Sequence, residues 1–298
     1  MANSNNWGEI YNSTWWGDED WSANSLKIDS APPGFAFTGL LDTFTGAAAA
    51  YSVRKLSSTY TGDALRVRRS SDDTEQDIGF NGSNELDTAA ILAFVGTGGS
   101  DNGFVSKWYD QSGNGRDVIQ ADGAEQPKIV SAGSVITEGG KPALDFDGSD
   151  DYLQNTTITS STPTTYFLTA KANRTGVIQR FTDGGVSGST RHSIYQNGDF
   201  KYFAGANLTG ATEDTNQNIH YYLASGGDSQ AILNGGTAAT GDSGTATLNG
   251  LTLAARWDGA AQWGDVLIQE LIVYSSNKSG NQEEIRSNIN THFSIFSP

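Results

Sequence analysis

The chain has 298 residues, of which 34 are acidic and 18 basic, so it carries a net charge of −16. Such an acidic surface repels nucleic acid and anionic lipid, and we expect neither as a partner. The chain has no cysteine, which excludes disulfides and thiolate metal sites. No apolar run approaches 18 residues, and no basic stretch followed by an apolar one opens the sequence, so we predict neither a membrane span nor a signal peptide.

The first 34 residues form a leader that precedes the domain. It ends at the two prolines of APPGF (31–35), which enforce an extended path, and we place the domain boundary there. The leader holds four of the seven tryptophans of the chain. Tryptophan buries a large area at a low entropy cost, which suits a docking peptide; packing of the leader on its own domain is the alternative. The predicted docking residues are Trp7, Ile10, Tyr11, Trp15, Trp16 and Trp21.

The region after the leader opens with an alanine-rich stretch. GAAAAYSVRKL, within residues 42–58, predicts a helix because alanine is the best helix former. ALRVRRS (64–70) alternates apolar and basic residues and predicts a strand. NELDTAAILAF (84–94) predicts a short helix with Asn84 or Asp87 as its N-cap.

Strand patterns dominate the rest of the chain, and hairpin turns are expected near Asn197-Gly198 and at Gly226–Asp228. The last pattern, GDVLIQELIVY (264–274), is apolar on both faces, so we predict that it is central in its sheet. The other predicted strands and hairpins are GFVSKWYD (103–110), KPALDFDG (141–148), TTYFLTAKA (164–172), HSIYQNGDFKYFAG (192–205), IHYYLASGGDSQAILNGG (219–236) and LTLAAR (251–256).

A helix is predicted near the C-terminus, where Ile285, Ile289 and Phe293 repeat every four residues. Ser279 and Gln282 form a capping-box pattern at its start. The 36 glycines and 6 prolines of the chain are typical of many short strands joined by tight turns. Together these patterns predict a mainly β fold, a β-sandwich with a few short helices and an extended N-terminal segment.

Two stretches resemble a known family. AYSVRKLSSTYTGDALRVRRSSDDTEQDIGF (50–80) and WYDQSGNGRDVIQ followed by QPKIV (108–130) are similar to the catalytic domain of the arabinofuranosidase B glycoside hydrolases. The resemblance covers roughly residues 47–130 and implies a concanavalin A-like β-sandwich. The catalytic carboxylates of that family lie downstream, in cysteine-containing segments without a counterpart here, so no catalytic residue is assigned.

The remainder resembles generic concanavalin A-like, laminin G-like domains. The resemblance lies in GKPALDFDGSDDYL (140–153) and in the last strand and closing helix (263–293). It implies one concanavalin A-like jelly-roll domain over residues 35–298. Such domains occur in binding modules and in enzymes alike.

The shared block is also similar to one in virion structural proteins of tailed phages, and NWGEIYNSTWWGD (6–18) is similar to their short N-terminal stretches. The first hypothesis is therefore a virion structural protein, either a tail fibre or appendage or a capsid decoration or head fibre, anchored by residues 1–34. It implies other virion proteins and host-surface glycans as partners, a homo-oligomer in the particle, and a virion location after assembly in the host cytoplasm and lysis. The alternatives are a glycoside hydrolase acting on arabinose-containing or related surface polysaccharide and a free glycan-binding module.

The stretch WYDQSGNGR (108–116) is the candidate glycan-binding site. It combines aromatic rings with planar polar groups beside a flexible turn, which suits a sugar. The alternative is a buried Trp–Tyr strand end and a loop held by its own Asp and Asn side chains. The residues assigned to possible glycan binding are Trp108, Tyr109, Asp110, Gln111, Asn114 and Arg116.

Glycoside hydrolysis needs two carboxylates, about 5–5.5 Å apart for retention or about 6.5–9.5 Å apart for inversion. We expect the acidic candidates to be solvent-facing strand residues or partners of arginine. These candidates are Asp110, Asp145, Asp147, Asp265 and Glu270. Arg66 and Arg68 are expected to pair with Asp72, Asp73 or Asp77 rather than to bind phosphate or an acidic glycan.

No metal site and no cofactor are predicted. DFDGSDDY (145–152) has alternating carboxylates, as calcium loops do, but it lacks the full EF-hand spacing and its final Glu, so we expect a turn. His192, His220 and His292 are too scattered to suggest a metal cluster. The sequence has neither a phosphate-binding loop of the P-loop type nor a serine-centred elbow.

Overall fold

Antiparallel β-strands form most of the chain in the computed structural model, which describes residues 37–297. The predicted docking segment, residues 1–34, lies outside the described residues. Three helices accompany the strands, α1 (Leu40–Thr43), α2 (Thr88–Val95) and α3 (Gln282–Phe293), together with 3-10 turns at Gly226–Asp228 and Ser279–Asn281. The strands are β1 (Ala47–Ser52), β2 (Leu65–Arg69), β3 (Glu75–Ile78), β4 (Gly103–Trp108), β5 (Val118–Ile119), β6 (Lys128–Ser131), β7 (Ser134–Val135), β8 (Thr137–Glu138), β9 (Lys141–Pro142), β10 (Leu144–Asp147), β11 (Leu153–Ser160), β12 (Thr164–Ala172), β13 (Gln179–Asp183), β14 (Ser193–Asn197), β15 (Asp199–Phe203), β16 (Asn207–Thr212), β17 (Gln217–Ala224), β18 (Ser229–Leu233), β19 (Ala239–Gly241), β20 (Leu248–Leu253) and β21 (Asp265–Tyr274).

The strands form two layers. In the first layer β21 lies at the centre, with β1 and β10 on one side and β12 on the other. β17, β18 and β19 continue this layer beyond β12. The second layer runs in the order β3–β2–β4–β5–β11–β20–β13–β14–β15–β16, with every pair antiparallel.

Contacts at two places join the layers into one continuous sheet. β6 pairs with β10 of the first layer and with β4 of the second. At the opposite edge β16 lies against β18 and β19. The layers therefore enclose one core, and the predicted mainly β fold with few helices is confirmed. None of the helices within residues 37–297 is long and apolar enough to cross a membrane.

The core between the layers contains aromatic side chains with polar tips. Tyr166 and Tyr222 stack with ring centroids 5.7 Å apart, and the Tyr166 hydroxyl lies 2.8 Å from Nδ1 of His192. The Tyr202 hydroxyl lies 3.0 Å from Nδ1 of His220. Burial lowers the pKa of His192 to about 4 and that of His220 to about 3, so both rings are neutral at pH 7.

The alanine-rich stretch is a strand, so the predicted helix within residues 42–58 is wrong. β1 pairs with β21 through Ala50↔Ile272 and Tyr51↔Leu271, and all six of its residues are buried. The small alanine side chains let this strand pack closely on both of its faces. Tertiary packing therefore overrides the helix propensity of alanine.

Several local predictions are confirmed. Asp87 is the N-cap of α2, and its carboxylate accepts a hydrogen bond from the Ala90 N–H at 2.9 Å. β14 and β15 form a hairpin that turns at Asn197-Gly198, where Gly198 has a φ of 76°. β17 and β18 form the second hairpin, through the turn at Gly226–Asp228. β21 is paired on both sides and buried along almost its whole length, as predicted for a central strand.

The C-terminal helix is confirmed as α3. Ile285, Ile289 and Phe293 are all buried, as their spacing predicts. The capping box predicted from residues 279 and 282 is wrong, because α3 begins after a 3-10 turn and its N-cap, Asn281, makes no side-chain capping hydrogen bond. The 3-10 turn at residues 279–281 moves Ser279 away from the N-cap position, which a capping box requires.

Candidate functional site

The predicted glycan loop begins with a buried tryptophan. Trp108 is fully buried at the end of β4 and packs against Tyr51 with ring centroids 6.0 Å apart. Tyr109 is half-buried and donates a hydrogen bond from its hydroxyl to Asp77 at 2.7 Å. The ammonium of Lys107 lies 4.9 Å from the centroid of the Tyr109 ring. Both aromatic rings are therefore engaged by the protein itself.

The polar residues of this loop bind the backbone of β1 and the segment that follows it. The buried carboxylate of Asp110 accepts hydrogen bonds from the backbone N–H of Ala50 at 2.9 Å and of Arg116 at 3.0 Å. The buried side chain of Gln111 accepts one from the backbone N–H of Leu56 at 2.8 Å. These bonds satisfy buried backbone groups that would otherwise be costly to leave unpaired.

Asn114 and Arg116 complete the set. Asn114 donates to the carbonyls of Ala47 and Ala48 at 3.0 and 3.1 Å, and Arg116 donates to the carbonyl of Ala48 at 3.1 Å. The structure thus brings the six predicted residues together beside β1. Their polar atoms serve the neighbouring chain, and glycan binding by these residues stays a prediction.

A cavity of about 690 Å³ opens beside this loop. Hydroxyl side chains line much of it, and Asp42 and Tyr60 are part of its wall. Burial acts to raise the pKa of Asp42, but hydrogen bonds from Ser58 and Ser57 outweigh it and lower the pKa to about 2. Asp42 is therefore an ionised anchor for the loop that carries these serines, not a proton donor.

The expectation that acidic candidates pair with arginine is confirmed for two of them. The buried carboxylate of Glu270 accepts two hydrogen bonds from Arg54, at 2.8 and 3.0 Å. Asp265 lies 3.3 Å from Arg174. Asp145, in β10, faces β6, and burial raises its pKa. Asp145 and Asp265 lie diagonally on the β10–β21 pair, where the charge of Asp265 also raises the pKa of Asp145. Glu270 lies farther along β21, opposite Ser52 of β1.

The basic run at residues 66–71 is paired, as expected. Arg66 binds Asp77 at 2.7 Å and Arg68 binds Asp73 at 2.5 Å. These carboxylates neutralise the run, which explains why it forms no free basic patch.

The acidic residues of DFDGSDDY converge at a turn. Asp147, Asp150 and Asp151 each offer one carboxylate oxygen, and these oxygens lie within 4.8 Å of one another. Gly148, at a φ of 74°, and a hydrogen bond of 2.8 Å from the Ser149 N–H to Asp147 form the expected turn. Burial raises the pKa of Asp151 to about 7.

A second cluster of acidic, basic and aromatic residues lies where β13 and β20 end. β13 pairs with β20 through Thr182↔Leu253 and Asp183↔Thr252, which places the two strand ends side by side. The loop 254–264 then leads from β20 into β21. We call this group the Asp183 cluster; its members are Arg180, Asp183, Arg191, Arg256, Trp257, Asp258, Gln262 and Trp263.

Asp183 is the buried centre of the cluster. Its side chain has no exposed surface, and Oδ2 lies 2.7 Å from Nη1 of Arg191 and 3.2 Å from Nη1 of Arg180. The backbone N–H groups of Gly184 and Trp257 donate to it at 2.9 and 3.2 Å. One carboxylate therefore serves two guanidinium groups and ties the loop 254–264 to β13.

Asp258 is the second carboxylate, and its environment is different. It accepts a hydrogen bond of 2.8 Å from Nε of Arg256, and its side chain is 23% exposed. This hydrogen bond lowers the pKa of Asp258, whereas burial raises the pKa of Asp183 against the two arginines that oppose it. The preceding residue, Trp257, donates its backbone N–H to Asp183, so the chain that carries Asp258 passes beside the Asp183 carboxylate. Acid–base catalysis uses pairs of carboxylates whose pKa values are pushed apart in this way.

The loop that carries Asp258 also contains two tryptophans. Trp257 and Trp263 are both partly exposed, and Nε1 of Trp263 donates to the carbonyl of Gly259 at 3.1 Å. The chain at Gly188 passes close to Trp257, because a Cβ added there would lie 3.1 Å from Nε1. Tyr152 packs even more closely on Gly259, where an added Cβ would lie 2.6 Å from Cζ of its ring. Partly exposed rings beside polar groups are the usual lining of a small-molecule site.

Sequence reasoning missed this cluster. The available signal was RWDGAAQW (256–263), which holds two of the three tryptophans that follow the leader, in a stretch without a strand pattern. Asp183 had no comparable signal, because an Asp before two glycines reads as a turn. Its role becomes visible only once the pairing of β13 with β20 is known.

Comparisons with known proteins agree with the fold. Residues 42–142 match the family model described as alpha-L-arabinofuranosidase B, catalytic. No curated protein matches the chain. The matched segment includes the loop 108–116 but ends before β13 and β20. The family match therefore does not cover the Asp183 cluster, which rests on the contacts described above.

Two solved structures share the fold. A GH54 α-L-arabinofuranosidase soaked with a cyclic sulfate inhibitor has a TM-score of 0.64 and 15% identity, over 84% of this chain and 64% of that chain. An arabinofuranosidase complexed with arabinofuranosyl-α-1,2-xylobiose has a TM-score of 0.66 and 18% identity, over 85% of this chain and 64% of that chain. The aligned region thus spans less than two thirds of the length of either enzyme. The chain is a mainly β protein with the fold of these arabinofuranosidases.

Proposed function

We propose that the chain is a glycoside hydrolase that acts on an arabinofuranosyl-containing or related polysaccharide at the Asp183 cluster. The observation that carries the proposal is the cluster itself, in which the loop that carries Asp258 hydrogen-bonds to the buried Asp183. The pKa values of these two carboxylates shift in opposite directions. The fold likeness to an arabinofuranosidase bound to an arabinofuranosyl xylobiose supports this class of substrate. The proposal includes the finer fold assignment, a concanavalin A-like jelly roll.

Each carboxylate has one role in this proposal. Asp183, whose protonated form is favoured by burial, donates a proton to the leaving oxygen of the glycosidic bond. Asp258 is kept ionised by Arg256 and acts at the anomeric carbon, as nucleophile or as the base for a water molecule. Trp257 and Trp263 supply apolar faces for the sugar ring.

Hydrolysis of an aryl α-L-arabinofuranoside and of arabinoxylan tests this proposal. Asp183→Asn and Asp258→Asn are each expected to lower kcat by about 100-fold or more, because a general acid or base contributes about 10²–10⁴-fold. Asp77→Asn is the matched control, since Asp77 also pairs with one arginine at a partly exposed position, and its kcat should equal that of the wild type. Undiminished activity of the Asp183 and Asp258 variants would contradict the proposal.

Glycan binding without hydrolysis is the second candidate, and the hydrogen bonding of Asp183 favours it. Its carboxylate accepts from Arg191 and from two backbone N–H groups, which suits a fixed anion more than a proton donor. If this alternative holds, arabinoxylan in the gel slows the migration of the wild-type protein in affinity electrophoresis, but the protein releases no reducing sugar from it.

We also propose that residues 1–34 attach the chain to other virion proteins, as part of a homo-oligomer in a virion assembled in the host cytoplasm. The support for this is the tryptophan-rich sequence of the leader and its resemblance to phage structural proteins. Replacing both Trp15 and Trp16 by Ala is expected to abolish incorporation into particles and to leave glycan binding unchanged. Incorporation at the wild-type level would refute the docking role.

A further inference from the structure

The Asp183 cluster carries an excess of positive charge. Arg180, Arg191 and Arg256 meet there with two carboxylates, Asp183 and Asp258. Asp183 is shared between two arginines, so one guanidinium charge has no anion of its own. A local excess of positive charge is unexpected in a chain whose net charge is −16. A buried charge without a counter-ion lowers the stability of the folded chain, so a ligand anion that supplies the counter-ion would explain the third arginine.

Two N–H groups on one edge of the Arg180 guanidinium bind a neutral side chain. The guanidinium is 5% exposed, and its Nε and Nη2 both donate to Oε1 of Gln262, Nε at a distance of 3.1 Å. This pair of N–H groups is the fork with which arginine binds a carboxylate or a sulfate through two parallel hydrogen bonds. A single uncharged amide oxygen occupies the place of the anion.

Gln262 is a side chain that a ligand can displace. The residue is exposed, and its backbone has a φ of 54°, in the left-handed region that non-glycine residues rarely adopt. Nε of Arg191 is buried and has no hydrogen-bond partner among the described residues. Arg180 and Arg191 both bind Oδ2 of Asp183 through Nη1, so the two guanidinium groups lie beside the same carboxylate.

We propose that the Asp183 cluster binds an anionic sugar, a glycan ring bearing a carboxylate or a sulfate, whose anion replaces Oε1 of Gln262 on Arg180 and reaches Arg191. This inference rests on the second candidate function, glycan binding at the cluster with Asp183 as a fixed anion, and assigns the class of glycan that is bound. With the ligand bound, three positive charges face three negative ones. In this complex Trp257 and Trp263 pack against the sugar ring, and the arginines donate hydrogen bonds to its anion.

Matched glycan pairs test the proposal in the full chain by isothermal titration calorimetry. Oligogalacturonate and its methyl ester differ in the carboxylate charge, and a sulfated galactan oligosaccharide and its desulfated form differ in the sulfate. We expect the charged member of at least one pair to bind about ten-fold or more tightly than its neutral partner, the effect of a charge-assisted hydrogen-bond pair. Which pair shows the preference identifies the anion.

Two substitutions of Gln262 and one control locate the effect. Gln262→Glu puts a permanent carboxylate on the fork and should abolish the preference, whereas Gln262→Ala should retain it. Arg174→Gln removes a more exposed arginine that pairs with Asp265 and should behave as the wild type. Equal binding of charged and neutral members, a preference that survives Gln262→Glu, or no binding of any member overturns the proposal. Equal binding that Trp257→Ala abolishes leaves the glycan function in place and removes only the assigned substrate class.

Discussion

Two loops of the molecule, residues 108–116 and 254–264, hold nearly the same kinds of side chain and use them differently. Each contains tryptophan, aspartate, glutamine, arginine and glycine. In the first loop Trp108 is buried and Asp110 binds backbone N–H groups. In the second loop Trp257 is partly exposed and Asp258 is paired only within its own loop.

The neighbouring strands explain this difference. Within residues 37–297 β1 pairs with a strand on one side only, β21, and on the other side the first loop supplies its hydrogen-bond partners. β20 is paired with both β11 and β13, and β21 with strands on both sides. The second loop joins strands that are already paired on both sides, so its side chains bind one another and Arg180 rather than an unpaired strand edge. Residue type alone therefore does not separate a structural loop from a binding loop.

Removing a tryptophan from each loop should give the largest contrast. Trp108→Ala is expected to lower the free energy of unfolding by about 3–5 kcal/mol, because a large buried ring leaves a cavity. Trp257→Ala should cost about 1 kcal/mol, since a partly exposed ring loses less burial. Urea unfolding followed by circular dichroism measures both. Similar costs for the two variants would remove the distinction between the loops.

Acidification should weaken the fold beside the second loop. His192 has a pKa of about 4 in the folded chain and 6.5 when unfolded, so between these values only the unfolded chain takes up the proton. Stability contributed by the neutral ring is thus present above pH 6.5 and is lost as the pH falls, to a maximum of about 3 kcal/mol near pH 4. The measurement is the difference in unfolding free energy between the wild type and His192→Gln, from pH 7 to pH 4.

The pH experiment also shows which part of the fold loosens first. His192 donates a hydrogen bond from Nε2–H to the Ala246 carbonyl and directly follows Arg191 of the Asp183 cluster, so its protonation should loosen that region first. A pH-independent difference between wild type and variant would mean that His192 is not buried as a neutral ring. Loss of hydrogen-exchange protection at β1 before β13 would reverse the expected order.

Removing an aspartate from each loop should give a smaller contrast. Asp110→Ala is expected to cost about 1–3 kcal/mol, because the buried Ala50 N–H loses its acceptor. Asp258→Ala should cost at most about 1 kcal/mol, the usual value for a partly exposed ion pair. Only the Asp258 variant should lose activity on a glycan. Thermal unfolding and the hydrolysis assay, run on the same preparations, check both halves; an inactive but folded Asp110 variant would contradict the structural role of the first loop.

Local chemistry made parts of this fold predictable. The Asp87 cap of α2 and the hairpin turn at Asn197-Gly198 depend on a few adjacent residues, and both were predicted correctly. The alternation in β2 and the double-sided apolar run of β21 likewise reveal a strand and its central position. β1 was not predictable in this way, because its alanines favour a helix until β21 and the loop 108–116 pack around them.

The sequence by itself determined a mainly β fold, an acidic and cysteine-free chain, and the position of most strands, because these follow from composition and from periods of two residues. Only the tertiary structure decided which polar side chains come together. The residues of the loop 254–264 that bind Asp183 and Arg180 lie 74 and 82 positions further along the chain, and they meet because β13 pairs with β20. Burial, hydrogen-bond partners and pKa shifts are properties of that meeting, so no local pattern could have assigned them.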